Sequence, residues 1–205
     1  MSFAKSVSTV LVGLACVVFA GGALSAEAVP QQGGGADAIK RNLKQVKLPP
    51  GFSIALYAVV PDARQMAVGP SGGVVFVGTR KNRIWAVVDR TKRGTADEVK
   101  AFAPSMARRI PNGVCFSPDG ILYSVELNRV LSYPAAESHY EAADMAAKVV
   151  VPQGALIPVA EASANHGART CRIGPDKKLY ITLGNPFNVP PKEKLDLYNR
   201  TGMMG

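Results

Sequence analysis

Acidic residues and aromatics are scarce in this chain, and histidine and cysteine are scarcer still. Its 205 residues hold 15 Asp and Glu against 24 Lys and Arg, with two His, three Cys and 7% aromatics. No Cys-x-x-Cys-His run occurs, which excludes an attached c-type haem from this portion. One stretch, Asp89 to Gly94, has the first Asp and sixth Gly of a calcium loop. Thr91 and Arg93 stand where its other carboxylates belong, so it is rejected as a metal site. The net charge of +9 is scattered through turns, without the aromatic interleaving or the known module of a nucleic-acid binder. That excludes nucleic acid as a partner and leaves solubility, an anionic ligand or an anionic surface. Nor is there an apolar run of the roughly 20 residues that a membrane-spanning helix needs.

The longest apolar run, Val7 to Ala20, is interrupted by Gly13, preceded by Lys5 and followed by small residues around Ala26-Glu27-Ala28. This is the pattern of a cleavable secretory signal over residues 1–28, and it predicts a periplasmic or secreted protein with no stable span after cleavage. Gly13 stands where a lipoprotein signal needs a large aliphatic, which weakens lipid attachment through Cys16. Loss of Lys5 leaves a net charge near +8 (9 − 1). Residues 29–47, with Pro30-Gln-Gln-Gly-Gly-Gly-Ala36, read as a flexible linker. Alternation of Phe52, Ile54 and Leu56 with Ser53, Ala55 and Tyr57 predicts a strand, of the kind that completes the last blade of a closed ring.

From residue 48 onward a cassette is written three times: a β-rich run, a Pro-centred turn and a second β-rich run. The copies are Met66 to Val77 around Pro70, Val114 to Val125 around Pro118, and Cys171 to Gly184 around Pro175. Proline presets φ at the first corner, Asp or Ser bonds its own backbone, and Gly supplies positive φ, so each copy is a hairpin. The prolines are 48 and 57 residues apart (118 − 70 and 175 − 118). A matching third strand follows twice, at Asn82-Arg83-Ile84-Trp85 and Asn128-Arg129-Val130-Leu131. A fourth comes at Glu98 to Phe102 and at Lys148 to Val151. Four strands per unit at this period is the signature of β-propeller blades, each burying its faces against its neighbours. Residues 48–205 are expected to be a partial propeller of about three blades, too few to close a ring, and hence to come from a longer gene product.

After signal cleavage Cys115 and Cys171 remain. With the repeats aligned on their prolines the two are one residue out of phase, so they are expected on different sheet faces and unbridged, as small core residues.

Propeller ligands sit where loops gather around the channel, and the loop entering the third cassette, Ala164-Asn165-His166-Gly167-Ala168-Arg169, leads there. His166 precedes its turn proline by nine residues (175 − 166), and the same count back from Pro118 gives Arg109. The pair is expected to share one pocket, His166 as general base for a sugar hydroxyl and Arg109 as holder of an anionic cofactor. For a histidine read from spacing alone, a turn hydrogen bond is the commoner role. His139, within Ser138-His139-Tyr140, is assigned only that role.

Leu48-Pro-Pro-Gly-Phe52, Val77-Gly-Thr-Arg80, Pro111-Asn-Gly-Val114, Ser117-Pro-Asp-Gly120 and above all His166-Gly-Ala-Arg169 with Ile173-Gly-Pro-Asp176 resemble the soluble quinoprotein sugar dehydrogenases. The sorbosone dehydrogenase-like branch is the nearest match. The resemblance implies an all-β, six-bladed β-propeller that uses pyrroloquinoline quinone and calcium. It also implies an aldose or sorbosone-like sugar as substrate and a separate electron acceptor. It makes His166 the catalytic base, taking a hydroxyl proton while hydride passes to the quinone, and places Asn165 beside the substrate where glucose-oxidising members carry Asp. The family's main quinone and calcium ligands fall beyond Gly205. Two readings compete: a noncatalytic propeller remnant, and a gluconolactonase-type metal hydrolase, for which Glu126 is the sole strand carboxylate in view.

Overall fold

The computed structural model describes residues 27–203; residues 1–26 of the expected signal segment lie outside them, Cys16 included. Each turn proline sits at the head of an antiparallel hairpin. The first is β1 (Ala63–Val68) with β2 (Val74–Thr79), the second β5 (Gly113–Phe116) with β6 (Leu122–Val125), and the third β9 (Thr170–Ile173) with β10 (Leu179–Thr182). Strands β3 (Trp85–Val88) and β4 (Glu98–Ala101) extend the first hairpin, and β7 (Val130–Tyr133) and β8 (Lys148–Val151) extend the second, giving two four-stranded sheets in sequence order. The chain is a partial all-β propeller: two full blades and the inner hairpin of a third. The repeat was legible because its cause is local. Gly72 and Gly120 take φ of 74° and 82° in the first two turns, and the third turn, which lacks glycine there, puts Lys177 at φ 63°.

Alternation along each strand sorts side chains between two blade interfaces. Val74, Phe76, Ile84, Ala86 and Val88 of the first blade meet Val114, Leu122, Leu131 and Tyr133 of the second in one buried core. Phe102 lies edge-on to Phe76 at 5.0 Å and to Tyr133 at 5.3 Å, contacts worth about 0.5–1.5 kcal/mol each beyond their buried area. The opposite face of the second blade turns Cys115, Val125 and Val130 toward Cys171 of the third.

There Cys115 and Cys171 form a disulfide, with their Cα atoms 5.8 Å apart. This corrects the expectation that they lie unbridged. The one-residue offset holds, and its consequence is the reverse of the expected one. In blades stacked face to face, the residues that meet come from opposite faces of their sheets, so opposite phase brings the thiols together.

Two further expectations are revised on the lead. Gly34–Leu43, inside the expected flexible linker, is a helix, α1. Residues 52–60 form no strand; they run across the outer face of the first blade, where Val29, Ala58 and Val60 pack on Val77, Trp85, Val87 and Val99. Phe52 and Ile54 of the alternating run are exposed, and the contact with the blade is made further on, by Ala58 and Val60. The segment's backbone partners are side-chain and loop groups: Ala96 donates to the Tyr57 carbonyl, and Gln31 both donates to and accepts from Val59. Ala28 adds a single bridge to Lys100 at the outer edge of the blade. After β10 comes a short helix, α2 (Leu195–Thr201), whose Tyr198, with Met203 just beyond the helix, packs on Ile157. Among the described residues no helix is long and apolar enough to cross a membrane.

The inner strands β1, β5 and β9 lie side by side. The Gln65 amide on β1 spans to β9, where Nε2 donates to the Cys171 carbonyl at 2.8 Å and Oε1 accepts from the Cys171 amide at 3.2 Å.

Candidate functional site

Each blade enters its inner strand through one residue with a left-handed backbone: Asp62 at φ 52°, Ile110 at 51° and His166 at 49°. The first two precede their turn prolines by eight residues (70 − 62 and 118 − 110), and His166 by nine. A non-glycine residue in this region costs of order 1–3 kcal/mol and persists only where the surroundings impose it. Here the surroundings are a ladder of rim loops. Thr79 N donates to Pro111 O at 3.1 Å and Ile110 N to Lys81 O at 2.7 Å, joining the first blade to the second. Leu127 N donates to Arg109 O at 3.1 Å within the second blade, and the Asn112 amide donates to Arg169 O at 2.5 Å, joining the second blade to the third.

His166 is exposed on this rim. Its Nδ1 lies 3.2 Å from the carbonyl oxygen of Asn185, in the loop after β10. A carbonyl can only accept, so the proton of the neutral imidazole is on Nδ1, and Nε2 carries a lone pair available to a ligand. Asn165, also exposed, donates from Nδ2 to Pro186 O at 2.5 Å. His166 and Asn165 are thus docked side by side on one loop, with Asn165 spending part of its amide on that docking. Close packing requires glycine at two points. A Cβ on Gly184 would stand 2.9 Å from the His166 carbonyl, and one on Gly167 would collide with the Ser163 carbonyl and with Leu127.

Arg109 is exposed, whereas its neighbour Arg108 is buried. The Arg108 guanidinium donates to the carbonyls of Phe102 and Ala103 and stacks over the Phe102 and Tyr133 rings, at 5.5 and 5.8 Å. Arg109 is held only by its backbone: its N–H donates to Glu126 Oε2 at 3.0 Å. No ion pair among the described residues involves the side chains of Arg64, Arg80 or Arg109, and Lys81 is matched by Asp62 at 3.0 Å. The loops of Arg109 and His166 are neighbours through Leu127. A cavity of about 990 Å³ alongside is lined by Arg64, Gln65, Asn112, Thr170, Arg172 and Tyr180, and by none of the three candidate residues.

Glu126 is fully buried and engaged, with Oε1 2.9 Å from Arg129 and Oε2 on the Arg109 amide. Among the described residues no three His, Cys, Asp or Glu side chains cluster in a way that could hold a metal ion. His139, with Nδ1 3.3 Å from Ala135 O, has the local turn bond assigned to it.

Sequence reasoning missed Arg169. It is 1% exposed, and its guanidinium bonds three carbonyls: Leu127 from Nε at 3.3 Å, and His166 and Gly184 from Nη1 at 3.1 and 3.0 Å. Burial pushes its pKa below the ordinary arginine value. The available signal was a cation written directly before a strand whose register sends it inward.

No protein-family model matches the chain, and no curated protein matches it by sequence. Solved structures do resemble it. One is a Trichoderma reesei carbohydrate-active enzyme of family AA12. Its iodide structure matches 71% of this chain and 36% of its own at 17% identity, TM-score 0.53. The calcium structure matches 69% and 34%, also at 17% identity, TM-score 0.52. A gluconolactonase from Xanthomonas campestris matches 68% of this chain and 40% of its own at 19% identity, TM-score 0.46. The chain therefore spans about a third of the AA12 structures it resembles, and what the likeness shows is the propeller fold.

Proposed function

We propose that this chain supplies the base-bearing blades of an exported quinoprotein that oxidises an aldose or a sorbosone-like sugar. The observation that carries the reading is the His166 imidazole, its proton fixed on Nδ1 by the Asn185 carbonyl and its Nε2 open at the channel rim. Such a nitrogen takes a proton from a sugar hydroxyl, and Asn165 on the same loop supplies a neutral hydrogen-bonding edge for the sugar. Arg109, exposed and without an ion-pair partner among the described residues, suits a carboxylate of an anionic cofactor. Pyrroloquinoline quinone, when bound, would supply the two-electron chemistry. No three His, Cys, Asp or Glu side chains cluster among the described residues, and no step is assigned to calcium. The Cys115–Cys171 disulfide supports export to the periplasm or beyond, where such bonds persist. Sugar and an electron acceptor are the partners this reading requires.

Turnover tests it. In a version carrying these blades within a closed ring, reduction of a dye acceptor with an aldose or sorbosone should require added quinone. His166→Ala should lower kcat by about 10² to 10⁴ with quinone binding retained. Arg109→Ala should instead weaken quinone binding. Equal turnover of wild type and His166→Ala would sink the proposal and favour a noncatalytic propeller.

A further inference from the structure

We infer that Arg169 is a positioning residue that sets the direction and the tautomer of the His166 imidazole. The inference takes its functional meaning from the reading of His166 as a base, but its geometry stands without it. A buried guanidinium ordinarily faces a carboxylate. This one meets only backbone: Leu127 on the second blade, Gly184 after β10, and His166 itself.

Nη1 bonds the carbonyls of His166 and Gly184 together, so it clamps the loop that enters β9 to the loop that leaves β10. Asn185, whose carbonyl orients the imidazole, is the next residue after Gly184. The clamp therefore fixes both ends of the His166–Asn185 bond relative to each other. It also holds the carbonyl of a residue whose φ is 49°, in a region that a histidine on a free loop leaves. The planar fork is what the geometry uses, because donors on Nε and Nη1 diverge toward different blades. An ammonium group offers one point and cannot reach both sets of acceptors. Arg169 touches neither ligand nor reacting atom; it acts through the backbone and through Asn185.

The chain has two histidines, so side-chain nitrogen spectra of the 15N-labelled protein, assigned with His139→Ala and His166→Ala, contain one test signal and one internal control. In the wild type, His166 should show a protonated Nδ1 and a bare Nε2. In Arg169→Gln that preference should be lost, with Nδ1–H falling below half of the neutral population, while His139 keeps its spectrum. Emission from the single, buried Trp85 reports that the first blade and the lead packed on it remain folded. Arg169→Lys keeps the charge and discards the fork, and should show the same loss; it decides the matter if the glutamine variant does not fold. Gly184→Ala, which crowds the His166 carbonyl with the arginine in place, should shift the same signal. An unchanged His166 spectrum in either folded Arg169 variant overturns the inference, as does a wild type without the Nδ1–H preference. Unimpaired turnover in His166→Ala would sink the catalytic reading and leave this result standing.

Discussion

Lys177 occupies the turn position that Gly120 fills in the second blade, with the same left-handed backbone and a side chain that resists it. Lys177→Gly should therefore raise stability by about 0.5–1 kcal/mol, seen as a higher urea midpoint at unchanged slope. The opposite change on the channel side should be costly. A Cβ at Gly113 would lie 2.9 Å from the Arg169 carbonyl and 3.0 Å from Val125, so Gly113→Ala should lose about 1–3 kcal/mol in the same assay. What the sequence reveals at this scale follows the range of the interaction. His166 and Asn165 could be singled out because they belong to a short motif ahead of a turn. Arg169 stood in that motif unremarked, because its acceptors come from three separate loops, one on another blade.

Between elements, two fastenings carry consequences that can be measured. The disulfide joins β5 to β9 across 56 residues of sequence, and loop-closure entropy for that length corresponds to about 4 kcal/mol, with measured disulfides spanning ~2–5. Cys115→Ser with Cys171→Ser should lower unfolding stability by that order, and a non-reducing peptide map should recover the two cysteines in one fragment pair. The second fastening is Glu161, buried midway along the connection between β8 and β9. It accepts from Lys194, and from Tyr198 on α2 at 2.6 Å. The bond from Lys194 and then that from Tyr198 hold its carboxyl below the ordinary glutamate value of 4.5, and burial with Glu161 beside it pushes Tyr198 up to about 12. A depressed carboxyl gives stability that is present above 4.5 and lost as pH falls through its folded value. A raised phenol gives stability that is full below 10 and gone as pH climbs through about 12. Melting temperature plotted against pH should thus fall on both sides, and Glu161→Gln should flatten the acid limb. Neither fastening was legible: the disulfide needed knowledge of which faces meet, and Glu161 finds its partners more than thirty residues away.

At the scale of the whole molecule, the period of the cassette was readable because every blade repeats the same local turn chemistry. How the lead packs was not, because the alternation from Phe52 to Tyr57 falls largely on exposed residues and the blade is covered by Ala58 and Val60 beyond it. The third blade presents an open edge at β10, with Tyr180, Phe187 and Val189 exposed near it. Open edges with apolar neighbours pair with whatever arrives. The 205-residue chain should accordingly show a sedimentation coefficient that rises with concentration, and a constant monomer value would contradict this. The Gln65 bridge gives that edge a counterpart on the channel side. A primary amide offers a donor and an acceptor side by side, as a peptide group does, so Gln65 serves β9 as a single rung of a strand that is not there. The backbone N–H of Cys171 then works as a gauge of how closely the first and third blades approach each other. Its hydrogen should exchange with solvent deuterium slowly while they lean together, and rapidly once Gln65→Ala removes the rung or the two blades part.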